Sequence, residues 1–229
     1  MKMRYDARQL DEEGVERKLT IVVVAALLVQ MFIHYLGQVE DVLRWDSFYY
    51  GTALVRLTVA LTIAYAFGLS PRRLGIAMPR MSRNEALWLL GGMLVATLII
   101  VPLLTMPSYR DAYQTYDLAA GSWQYRVGRW LQFHVSTSIT WELFFRGFLL
   151  FTLREVLRAG GRGGVDATAI WITATFEVMY HLVKPPLEAV GMLVGSPALS
   201  WLALRQGSLW IPMLIHSWIE FLWFMTVWQ

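Results

Sequence analysis

Runs of about twenty predominantly apolar residues recur along this chain, and they restrict its fold more than any other property. At 1.5 Å per residue, a run of that length spans a bilayer as a helix. Hydrophobic residues make up 56% of the 229 positions and charged residues only 16%, too little charge for a soluble domain of this size. The expected fold is all-α: a polytopic membrane helix bundle of about seven transmembrane helices. The runs place them at about 19–37, 48–69, 86–106, 129–157, 167–183, 188–204 and 208–228. Residues 1–18 then read as a cytoplasmic N-terminal segment, 19–106 as N-terminal transmembrane helices and 129–228 as the core that carries the chemistry. The first apolar run has no small-residue cleavage site before or after it, so it reads as a retained span. The sixth segment is the weakest, because Gly191, Gly195, Ser196 and Pro197 interrupt it. Its glycines suit close packing or a kink.

The loops alternate in charge. One set holds Lys2, Arg4, Arg8, Arg17, Lys18, Arg72, Arg73, Arg80, Arg83, Arg154, Arg158, Arg162 and Arg205, thirteen basic residues. The other holds five: Arg44, Arg110, Arg126, Arg129 and Lys184. The positive-inside rule then favours a cytoplasmic N-terminus and an outer C-terminus. The loop 107–128, with four tyrosines and a tryptophan, reads as an interfacial segment, and the tail TVWQ as an aromatic interface end. GGRGG at 160–164 reads as a flexible turn. Arg56, alone within the second run, reads as a snorkelling side chain. The chain has no cysteine, which excludes disulfides, thiolate metal sites and a cysteine nucleophile.

Three charged pairs interrupt the apolar runs: Glu142 with Arg146 in WELFFRGFLL, Glu177 with His181 in FEVMYH, and His216 with Glu220 in HSWIE. Each pair has i,i+4 spacing, which puts both side chains on one helix face. Ionisable groups in hydrocarbon are costly and mark functional sites or buried pairs. Arg146 can hold Glu142 ionised with forked donors, and Gly147 permits a helix to approach closely. His181 suits a general base, a water-orienting group or a metal ligand, with Glu177 fixing its tautomer. His216, helped by Glu220, suits an oxyanion donor, with Pro212 expected to kink its helix. Each pair alone also fits a structural ion pair or a satisfied buried histidine. Together they point to one polar site among three helices. His134, two turns before Glu142, reads as an outer gate or an interfacial histidine, and His34 as interfacial.

At these residues the chain resembles the CPBP family, also called the Abi or CAAX-protease-and-bacteriocin-processing family. Its pattern is E-E-x-x-x-R, then F-x-x-x-H, then H-x-x-x-N or H-x-x-x-D. W-E-L-F-F-R-G matches the second glutamate, the arginine and the glycine, and GSLWIPMLIHSWIE resembles the final motif. The resemblance covers about residues 130–228. It departs in three places: Trp141 stands at the first glutamate, Glu177 at the phenylalanine, and Glu220 at the asparagine or aspartate. In the family's prenyl-protein endopeptidases, that first glutamate is taken as the base that activates water.

The resemblance implies an intramembrane endopeptidase acting on membrane-embedded or lipidated, CAAX-type peptides. Glu142 or Glu177 would polarise water with His181, and His216 with Glu220 would stabilise the oxyanion. No cofactor is expected; a two-histidine, one-carboxylate zinc site is the alternative within the enzyme class. The alternative outside that class is a catalytically inactive membrane binder or bacteriocin-immunity protein. A proton-coupled carrier ranks lower, because no repeated half is visible. The expected partners are the lipid bilayer and a peptide substrate, with no nucleic acid. The expected location is a bacterial or archaeal plasma membrane.

Overall fold

The computed structural model describes residues 12–38, 45–78, 81–107, 122–161, 163–182, 184 and 186–226. Among these the chain is all helix, with no strand. The interfacial reading of 107–128 falls outside the described residues over 108–121, as do the tail 227–229, the segment 1–11 and Arg162 of the glycine turn.

Helix α1 is Glu12–Gln38. It starts upstream of the apolar run because Glu12 and Glu13 complement the dipole of its first turn. Its buried stripe, Val15, Val22, Ala26, Val29 and Ile33, follows helical periodicity. The opposite face exposes Leu28, Met31 and Tyr35. Helix α2, Trp45–Ala66, ends at Gly68, whose φ of 66° takes the left-handed region. Helix α3, Arg83–Thr105, opens with a capping box between Ser82 and Glu85.

Helix α4 runs continuously over 123–159. It begins at an N-cap in which Ser122 Oγ accepts from the Tyr125 amide at 3.3 Å. Two stretches, His134–Ser138 and Leu143–Leu150, are π-helical. Hydroxyls crowd the first stretch: Ser136 donates to the Gln132 carbonyl at 2.8 Å and Thr140 to the Ser136 carbonyl at 2.9 Å. Such back-bonding competes with the helical ladder. Phe144, Phe145, Phe148, Leu149, Leu150 and Leu153 are all buried, as expected of a helix that is apolar all round. This is the central helix of the bundle. Gly147 admits Leu209 here: a Cβ at that position would stand 3.3 Å from its Cδ2.

Helix α5 is Val165–His181, α6 is Pro186–Gln206 and α7 is Trp210–Thr226. Asp166 ties the start of α5 to the end of α4, accepting from Arg154 Nε at 2.8 Å. These seven helices lie where the apolar runs place them. Three of the membrane-length runs, Glu12–Leu36, Arg83–Thr105 and Pro186–Gln206, are long and apolar enough to cross a bilayer; Tyr50–Ala66 is a shorter apolar helix. Only 11% of the α3 window is buried, so its apolar surface faces outward, as a lipid-facing helix requires.

Three local expectations change. No atom lies within 4 Å of a Cβ built on Gly191 or Gly195, so these glycines do not mediate close packing. Ala189, Ser196, Ser200 and Ala203 are the small residues that α6 buries. Pro212 lies in the first turn of α7, where its missing N–H breaks no ladder bond, so it causes no kink. Arg56 does not snorkel: it is buried, with its guanidinium 5.0 Å from the Trp141 ring centre and 6.0 Å from that of Tyr180.

Candidate functional site

The polar interior is built around Arg146, wholly buried on α4. A guanidinium there requires carboxylates with matching geometry. Two are present. Arg146 Nη1 donates to Glu142 Oε1 at 2.9 Å, one turn earlier. Nη1 and Nη2 also grip Glu177 of α5 at 2.6 and 2.7 Å, a bidentate fork.

Glu177 is the most fully engaged acid. Trp141 Nε1 donates to its Oε1 at 2.6 Å, and the Ser196 hydroxyl of α6 donates to its Oε2. Four hydrogen bonds from two helices, α4 and α6, fix this carboxylate, leaving it little capacity to accept another proton donor. Its side chain does not reach the His181 ring. The Glu177 backbone carbonyl lies 2.7 Å from His181 Nδ1 instead. A carbonyl can only accept, so Nδ1 carries the proton and neutral His181 has its lone pair on Nε2.

His216 is held differently. Its Nδ1 lies 2.6 Å from Glu142 Oε1, and its Nε2 lies 3.4 Å from Glu220 Oε1. One carboxylate faces each ring nitrogen. Glu220 is anchored in turn by the Ser138 hydroxyl of α4. Glu142 is fully buried, and its Oε2 has no hydrogen-bond partner among the described residues.

All six residues named from sequence thus lie in one region where α4, α5 and α7 meet, with α6 closing it through Ser196. Glu142, Arg146 and Glu177 form a continuous network that extends to His216 and Glu220. His181 adjoins it through Trp141, whose ring centre lies 5.5 Å from the imidazole. His134 stacks on Trp130 with ring centres 5.7 Å apart. His34 is exposed on α1.

Sequence reasoning missed Ser138, Ser196 and the donor role of Trp141. Ser138 carried a usable signal, one turn before Glu142 on the same helix. Ser196 did not, because it reads as an interruption of its own span. Among the described residues, no group of three or more His, Cys, Asp or Glu is arranged to hold a metal ion.

No curated protein and no solved structure matches the chain. A family model does: residues 123–222 match that of the Rce1-like family, described as type II CAAX prenyl endopeptidase Rce1-like. The matched stretch contains Glu142, Arg146, Glu177, His181, His216 and Glu220. Together with the apolar helices, the match supports an integral membrane protein. Over residues 123–222 the chain thus matches the Rce1-like type II CAAX prenyl endopeptidase family model, in agreement with the resemblance its motifs carry.

Proposed function

We propose that this protein is an intramembrane endopeptidase that hydrolyses a peptide bond in prenylated, CAAX-type protein substrates. The observation that carries this reading is the contrast between its two histidines. His181 gives its Nδ1–H to a backbone carbonyl and meets one acid, Glu188, 3.3 Å from Nε2, so the neutral ring keeps its lone pair there, the state a general base needs. His216 has a carboxylate at each nitrogen, the surroundings of a proton-bearing imidazole.

In this mechanism His181 Nε2 takes a proton from water as its oxygen attacks the peptide carbonyl. His216 donates from Nε2 to the developing oxyanion, displacing its long contact with Glu220. Glu142 holds His216 in orientation, and Arg146 holds Glu142. Collapse of the tetrahedral intermediate breaks the C–N bond, and His181 returns the proton to the leaving nitrogen. No step passes through an acyl-enzyme or a metal. The outward apolar helices supply a lipid-level approach for an isoprenoid-bearing chain end.

A second reading has its own support. Trp141 fills the position of the family's first glutamate, and its indole donates to Glu177, helping to tie up that carboxylate. Such a core also suits a non-catalytic membrane binder.

The test uses the full chain purified in detergent and a farnesylated peptide with a fluorophore and quencher flanking the scissile bond. Cleavage by the native protein, lost in His181→Ala and His216→Ala, supports the enzyme. No cleavage by a folded native protein sinks it and favours the binder.

A further inference from the structure

His181 has an acidic neighbour outside the three motif pairs. Glu188, in the first turn of α6, places Oε1 3.3 Å from His181 Nε2. Lys184 Nζ donates to the same oxygen at 2.7 Å. The other oxygen, Oε2, is buried and has no hydrogen-bond partner among the described residues. Nε2 is also the atom that the Glu177 carbonyl leaves as the acceptor.

The remaining acids are less suited to share a water with His181. Glu177 is held by four hydrogen bonds. Glu220 is held by Ser138 and faces His216. Glu142 also has an unpartnered oxygen, but it contacts His216 and its side chain is 0% exposed. The Glu188 side chain is 20% exposed, against 0% for Glu142, and its buried, unpartnered Oε2 is the acceptor that a water entering beside His181 would satisfy.

We propose that Glu188 is a further catalytic residue, binding the attacking water jointly with His181. This rests on the endopeptidase reading above and names the carboxylate that the reading otherwise lacks. The water directs one O–H to His181 Nε2 and the other to Glu188 Oε2, which turns its lone pair toward the peptide carbonyl. The oxygen–carbon bond forms as the first proton passes to Nε2. That proton then goes to the leaving amine as the C–N bond breaks. The second proton, on the new carboxylic acid, passes through Glu188 to solvent. The role of Lys184 is to aim the carboxylate through its hydrogen bond to Oε1.

The experiment uses the same farnesylated quenched peptide and the full chain in detergent. Glu188→Gln keeps the shape and removes the proton acceptor. It is expected to lower kcat at least about 100-fold while KM stays within about threefold, the pattern of a group acting in the transition state. Glu188→Ala is expected to recover part of the lost rate when formate is added, which a purely structural tie between α5 and α6 would not do. Activity of Glu188→Gln within threefold of native, or no formate recovery in folded Glu188→Ala, overturns the assignment. If the native protein cleaves and His181→Ala does not, while Glu188→Gln still cleaves, only this inference fails. If the native protein cleaves nothing, the underlying reading fails with it.

Discussion

Arg146 and Glu177 join α4 to α5 through two parallel hydrogen bonds of 2.6 and 2.7 Å, with both side chains almost completely buried. This fork makes Glu177 a structural anchor. Glu177→Gln leaves Arg146 with one carboxylate instead of two at a wholly buried position. Removing one partner of a buried pair costs about 3–5 kcal/mol. We expect a clear fall in the unfolding midpoint of the detergent-solubilised protein, followed by thermal fluorescence. An unchanged midpoint with activity abolished would instead make Glu177 the base.

Trp141 tests the same anchor from the other side. Trp141→Phe keeps an aromatic ring against Phe145 and Tyr180 but removes the Nε1 donor to Glu177. Glu177 Oε1 still accepts from Arg146, so the expected loss is small, about 1 kcal/mol. Denaturant midpoints for native and variant protein give the difference. A loss as large as that of Glu177→Gln would contradict the idea that Arg146 is the main anchor.

Gly75 fixes the approach of the α2–α3 connection to α4. Its φ is 69°, and a Cβ there would stand 2.5 Å from a Phe151 ring carbon. Gly75→Ala therefore meets both a left-handed backbone penalty and an overlap with an aromatic ring. A loss of about 2–4 kcal/mol is expected from strain and overpacking together. Gly163→Ala is the control, with nothing within 4 Å of its Cβ. Equal unfolding midpoints for the two variants would refute the packing argument.

Much of the fold was legible because apolar runs bounded by charge and glycine define helices with little ambiguity. The seven expected segments and the seven helices among the described residues differ mainly at their ends, as in α1, where Glu12 and Glu13 extend the helix below Leu19. The i,i+4 contacts of Glu142 with Arg146 and His216 with Glu220 follow from helix geometry alone. The cross-helix contacts were not legible. Glu142 to His216 and Arg146 to Glu177 depend on how far α4 is rotated, and its π-helical stretches insert i→i+5 bonds that shift that phase. The Glu177–His181 pair shows the limit of spacing arguments. Both share a face, yet the carboxylate turns to Arg146 and the imidazole turns to a backbone carbonyl.

The two histidines give the sharpest kinetic prediction. If His181 moves a proton and His216 stabilises an oxyanion, each acts in the transition state and neither principally binds substrate. His181→Ala is expected to lower kcat by about 100- to 10,000-fold, the usual range for a general base. His216→Ala is expected to lower it by about 100- to 1,000-fold, as for loss of an oxyanion donor. KM for the farnesylated peptide should change little in either. The double variant should lose less than the product of the two single losses, because both act on one intermediate. Incubation with a strong chelator should leave the native rate unchanged, since every step assigned here uses side chains alone. Loss of activity on chelation, restored by added zinc, would transfer the role of His181 and His216 from proton transfer to metal binding and end this mechanism.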